Sequence, residues 1–308
     1  MSPVHHGGEM AEADHRSHFS HRLTFLLILV VAVSTLVWAH WTGLVLMAER
    51  WTHDAQYSHG YLVPAFALGL LWARRKFFRE SDPRPAWWGG IILAVGIGLH
   101  LFGGYYAYTW LDAFSLLPTL AGVVLMLGGW PAWRWAWPAV GFLIFMIPLP
   151  YRLEVSLAAP LQRIATVSST FLLQTFGLPA VAEGNVILLS EARIGIVEAC
   201  SGLRMLVIFF ALSSAVALMI HRPIWEKLLV VASAVPLALV VNVMRITVTG
   251  FLHEKVSSDM ANAVFHDFAG WLMMPAALAM LWFELTYLKH LLLEPLPSGP
   301  ISIGLKNV

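Results

Sequence analysis

Charge is scarce in this chain. Lys, Arg, Asp and Glu together make up 12% of its 308 residues, about half the share of an ordinary soluble domain. Cysteine is nearly absent. A single Cys200 excludes an intrachain disulfide and cannot supply a zinc site alone. There is no His-Glu-x-x-His run for a metalloprotease. Ser201-Gly202 follows Ala199 and Cys200, which excludes the Gly-x-Ser-Gly arrangement of a rhomboid-type serine protease. The net charge of +1 says nothing about nucleic acid, and no nucleic-acid partner is expected. Neither an internal repeat nor a small-residue cleavage site after the first apolar run is present, so that run reads as an uncleaved anchor.

What the chain has is apolar surface. Hydrophobic residues are 58% of it, mean hydropathy is +0.71, and many of its 14 tryptophans stand near the ends of apolar runs, as in a bilayer's aromatic belts. Runs long enough to cross about 30 Å of hydrocarbon lie near 23–41, 59–73, 88–104, 111–129, 135–149, 203–220, 228–249 and 267–288. The fold class is therefore an all-α polytopic membrane protein of about eight transmembrane helices. Its parts are a disordered cytoplasmic tail over 1–22, a membrane domain over 23–292 and a second cytoplasmic tail over 293–308. The histidines of the first tail (His5, His6, His15, His18 and His21) form no expected metal site.

Arginine and lysine set the orientation. Arg74, Arg75, Lys76, Arg79 and Arg84 fall on the side of the two termini, so both termini are expected in the cytoplasm. The large segment between the fifth and sixth spans then lies outside. Its first half, Tyr151 to Phe176, carries Leu153, Leu157, Leu161, Ile164, Val167 and Phe171 at helical spacing and reads as an amphipathic helix stopped by Gly177-Leu178-Pro179. The second half reads as a short hairpin pairing 183–189 with 193–197. Such a segment can lie on the membrane as a cap that brings Cys200 to the first turn of the sixth helix.

Cys200 sits in Glu198-Ala199-Cys200-Ser201-Gly202-Leu203-Arg204. A free cysteine is by default a small buried hydrophobe. Here a flanking arginine and a helix N-terminus just downstream would stabilise a thiolate. Arg204 follows one turn later on the same face. Asn242 and Arg245 share a face of the seventh span, and His266 and Asp267 open the eighth. Hydropathy alone puts Cys200, Arg245 and His266 at one membrane face. A histidine can take the thiol proton and return it to a leaving amine, and a guanidinium can stabilise an oxyanion. The competing readings are a surface role for His266 and a snorkelling or ion-paired Arg245.

These blocks, in order, resemble the signature motifs of the exosortase family: Glu198 to Arg204, then Asn242-Val243-Met244-Arg245, then His266-Asp267 followed by Gly270. Trp51 to Pro64, with Asp54, Tyr57 and His59, is similar to that family's first external loop, and Gly184-Asn185 also fits. The resemblance implies a cysteine protease or transpeptidase in the bacterial inner membrane, its active site facing the periplasm. It implies Cys200, Arg245 and His266 as catalytic residues, supported by Arg204, Glu198, Asn242 and Asp267. Asp54, Tyr57, His59 and Asn185 are candidates for the substrate site, with His59 a rival base. The implied partners are membrane lipid and exported proteins ending in a Pro-Glu-Pro-type motif, a transmembrane helix and a basic tail. In bacteria such systems accompany exopolysaccharide production. No cofactor, metal or nucleic acid is implied. A polytopic transporter or an assembly factor for exopolysaccharide export is the alternative, and neither would require Cys200.

Overall fold

The computed structural model describes residue 24, residues 27–79, 84–190, 193–195, 202–220 and 222–255, and the pairs 279–280, 282–283 and 286–287. The chain forms two compact units, Met1–Pro150 and Tyr151–Val308. Cys200, Glu198, His266 and Asp267, and most of the eighth apolar run, lie outside the described residues.

In the first unit, α1 (Leu27–Ala39) and α2 (Trp41–His53) meet at His40 with a bend of 65°. A 3-10 turn over Ala55–Tyr61 leads into α3 (Leu62–Ala73), and α4 (Arg75–Arg79) follows directly. Residues 51–64 are therefore largely helical. Next come α5 (Gly89–Tyr105) and α6 (Thr109–Phe142), the latter ending in a 3-10 turn at Leu143–Met146. Close packing of α5 on the first arm of α6 uses glycines seven residues apart. A Cβ on Gly89 would come 2.7 Å from Leu125, on Gly96 2.5 Å from Thr119, and on Gly103 2.7 Å from the backbone of Asp112. Small residues let helix backbones approach where lipid supplies no hydrophobic drive between helices.

Gly129 breaks α6, with φ 64° and ψ −156°, angles open chiefly to glycine. Contacts elsewhere show that the chain turns back there. His40 Nε2 lies 3.3 Å from Ser115 Oγ, and Trp51 Nε1 donates to Met146 O at 2.9 Å. From residue 40 to 51, α2 covers about 17 Å, whereas an unbroken helix from 115 to 146 would span about 46 Å. The second arm of α6 accordingly runs beside α3, pairing Arg134 with Arg74, Trp135 with Leu71 and Phe145 with His59. These arms correspond to the apolar runs 111–129 and 135–149.

The second unit opens with α7 (Tyr151–Thr175). It stops where expected: Leu178 N–H reaches Leu173 O and Gly177 N–H reaches Gln174 O, with buried Leu178 packed in the same cluster as Leu173. That is the hydrogen-bond pattern of a Schellman stop. The hairpin needs correction. Instead of one strand over 183–189, β1 (Val181–Glu183) and β2 (Val186–Leu188) pair antiparallel, and β2 pairs with β3 (Arg193–Gly195). Gly184-Asn185 is the two-residue turn between β1 and β2, with Gly184 at φ +62°, where a tight hairpin requires a positive φ. Reading the apolar run alone hid the reversal.

The unit continues with α8 (Gly202–Met219), α9 (Ile224–Ala232) and α10 (Ala234–Lys255). A core of Ala165, Leu173, Leu178, Ile187, Ile194, Val243 and Ile246 joins α7, the sheet and α10. The apolar stripe of α7 faces away from it: Leu157, Ile164, Val167 and Phe171 are exposed, whereas Ala165, Thr166, Ser169 and Leu173 are buried. Lipid solvates large apolar side chains, so small and hydroxyl residues face the protein.

By length and hydropathy, 109–146 and 224–255 qualify as membrane-crossing stretches among the described residues, and the bent pair α1–α2 counts as a third if it is one span. The apolar helices Gly89–Tyr105 and Leu203–Met219 are shorter.

Candidate active site

The second unit positions two of the candidate cations and the candidate amide. α8 begins at Gly202, two residues after Cys200, and puts Arg204 in its first turn. The chain reverses between Met219 and Ile224, and α8 packs along α9 and α10. Counting back from that reversal, about fifteen residues down α8 reach Arg204. The same climb along α9–α10 reaches Leu239, about one turn before Asn242. The antiparallel pairing thus brings Arg204 to roughly the level of Asn242 and Arg245. Both arginines are half-buried.

Asn242 is 1% exposed, and neither its amide nitrogen nor its amide oxygen has a hydrogen bond among the described residues. Leaving such a group unmatched costs about 1–3 kcal/mol. It lies one turn before Arg245 on a helix whose neighbouring face, Val243, Ile246 and Gly250, is packed on α7 and the sheet. A carboxamide and a guanidinium one turn apart on a protein-facing helix can bind the carbonyl oxygen of a substrate and hold negative charge that develops there.

Asn185 belongs to the β1–β2 turn, where its Nδ2 donates to Gln162 Oε1 at 3.0 Å and ties the sheet to α7. The other proposed substrate residues lie in the first unit and contact its backbone. Tyr57, 1% exposed, accepts from Leu149 N–H through its hydroxyl at 3.1 Å. His59, 5% exposed, donates from Nε2 to Phe145 O at 3.1 Å. Asp54 caps the 3-10 turn by accepting from Gln56 N–H. With Trp51 on Met146 O, Tyr57 and His59 satisfy the groups left open where the second arm of α6 unwinds before Pro148. Their geometry is that of a clamp on 145–149, and His59 Nε2 is occupied by a carbonyl.

A polar cluster unforeseen from sequence ties together the first unit. His100 Nδ1 meets Asp112 Oδ1 at 2.5 Å, and the His40 and His100 rings lie 4.5 Å apart. His40 also contacts Leu36 O and Ser115 Oγ, each at 3.3 Å. The signal available in sequence was three ionisable residues close to the ends of apolar runs, a costly placement that demands partners. No group of three or more metal-ligating side chains is assembled among the described residues.

A family model described as transmembrane exosortase (Exosortase_EpsH) matches residues 51–283. No curated protein and no solved structure was found to match.

Proposed function

Since the chain belongs to the transmembrane exosortase family, we propose that it is a cysteine peptidase or transpeptidase acting on the C-terminal sorting signals of exported proteins, at the periplasmic face of the inner membrane. The observation that carries this reading is the buried Asn242, without a hydrogen bond among the described residues, one turn from Arg245 on the helix antiparallel to the one that begins two residues after Cys200.

The Cys200 thiolate attacks the scissile carbonyl, and the electron pair moves to oxygen. Arg245, with Asn242 beside it, holds that oxyanion. On collapse the C–N bond breaks, and His266, having taken the thiol proton, returns it to the leaving amine. A thioester to Cys200 remains. Water or an acceptor nucleophile then attacks it, releasing the thiol. Arg204, one turn after Cys200, and Glu198 set the charge around the thiolate, and Asp267 adjoins the base. The substrate carries a Pro-Glu-Pro-type motif, a transmembrane helix and a basic tail.

The test is coexpression of such a substrate with wild-type enzyme, Cys200→Ala or Cys200→Ser. Both variants should accumulate in the membrane and leave the substrate uncleaved. Normal processing by Cys200→Ala would overturn the proposal and favour a transporter or assembly role.

A further inference from the structure

At the end of the first unit opposite His40, two arginines sixty residues apart converge on one ring. The Arg74 guanidinium carbon lies 5.8 Å from the Phe77 centroid, and that of Arg134 lies 5.3 Å from it. Arg74 donates one N–H to Arg134 O at 3.1 Å, which holds the two chains together. Its Nε is buried and bonded to nothing among the described residues. A guanidinium has five N–H donors in a fixed fork, so most of the donors of this pair are unused among the described residues. Arg75 stacks on Trp72 at 4.1 Å, and Lys76 adds another charge. Among the described residues, none of Arg74, Arg75, Lys76 and Arg134 forms an ion pair.

Capping of the C-terminus of α3 explains part of this arrangement. Arg75 donates to Trp72 O, and a cation there opposes the helix dipole. It does not explain why a second guanidinium is brought from α6 onto the same ring with no anion between them among the described residues. Like charges held together call for a counter-anion. The surroundings identify its source, because Leu68 and Trp72, one turn apart on α3 just before the arginines, are exposed large apolar side chains. A ligand here meets cationic forks at one end and apolar surface at the other.

We propose that Arg74 and Arg134 form a phosphate-binding clamp for the headgroup of an anionic phospholipid. Phe77 aligns the two guanidiniums, and the apolar face of α3 receives the acyl chains. Both forks donate to phosphate oxygens, an arrangement that suits arginine better than lysine. Arg75 and Lys76 add the local field that favours an anionic over a zwitterionic headgroup. The clamp is independent of the cleavage reaction, so its failure would leave the proposed function standing.

The test uses full-length protein, delipidated in neutral detergent, and native mass spectrometry with three probes: phosphatidylglycerol, phosphatidylcholine and inorganic phosphate. Wild-type protein should bind phosphatidylglycerol at least tenfold more tightly than phosphatidylcholine. Arg74→Gln/Arg134→Gln should bring that ratio close to one, and Arg134→Lys should fall between. Arg152→Gln/Arg163→Gln, which alters arginines of α7, should leave it unchanged. Phe77→Leu keeps both charges and should lower the ratio severalfold, which provides a second reading should the double variant not fold. An unchanged ratio in either clamp variant would overturn the proposal. So would full displacement of phosphatidylglycerol by millimolar inorganic phosphate, since the site would then be one for free anions.

Discussion

Asn242 and Arg245 stand one turn apart on α10, yet substitutions at the two should have different signatures. Asn242 has both polar atoms buried and without a hydrogen bond among the described residues. Asn242→Leu, close to it in shape, removes an unmatched amide and should raise stability by about 1–3 kcal/mol, while cleavage of the substrate falls. Thermal unfolding and a cleavage assay on the same preparation check this, and a destabilised variant would show that the amide has a structural partner. The roles of Arg245 and His266 separate by pH. His266→Ala lacks its base, but the free thiol ionises unaided near its ordinary pKa of about 8.5. Its rate should therefore recover in part between about pH 8 and 9.5. Arg245→Ala should not recover, because alkali cannot replace transition-state electrostatics worth about 3 kcal/mol, or roughly a hundredfold in rate. Arg245→Lys should keep partial activity. A pH–rate profile in proteoliposomes checks both, and equal rescue of His266→Ala and Arg245→Ala would mean that Arg245 acts through the thiol.

Among the helices, α5 and the first arm of α6 give the sharpest contrast between neighbouring glycines. A Cβ on Gly96 meets Thr119 at 2.5 Å, whereas one on Gly98 meets nothing within 4 Å. Gly96→Leu should force the helix pair apart and cost several kcal/mol. Gly98→Ala should be neutral or stabilising by about 0.5–1 kcal/mol, since alanine loses less entropy in a helix. Unfolding in detergent, monitored for both, would show whether α5 depends on this contact. The apolar runs and the stop of α7 at Gly177 were legible in the sequence because hydropathy and helical spacing are local signals. The bend at His40 was not, because it depends on contacts between distant segments, and the β1–β2 turn, although local, was hidden by reading Glu183 to Leu189 as one apolar run. Hydropathy also could not say which face of α7 meets protein, since a lipid solvent reverses the usual rule. The same limit applied to Tyr57 and His59. Their chemistry suggested a substrate role, while their bonds to Leu149 and Phe145 come from a chain reversal at Gly129 that only the fold reveals.

For the whole molecule, lysine and arginine placement leads to the expectation that both termini are cytoplasmic and Cys200 external. A membrane-impermeant thiol reagent added to the periplasmic side should label Cys200, the chain's only cysteine. Labelling only after the inner membrane is opened would invert that orientation. The most direct test of the central claim is to trap the covalent intermediate. Wild-type protein incubated with substrate, quenched in acid and measured as intact protein should gain the mass of the acyl fragment. Peptide mapping should place that mass on Cys200, and hydroxylamine should remove it as a hydroxamate. Cys200→Ala should show no adduct and no cleavage; cleavage by Cys200→Ala, or an adduct mapped to another residue, would contradict the account.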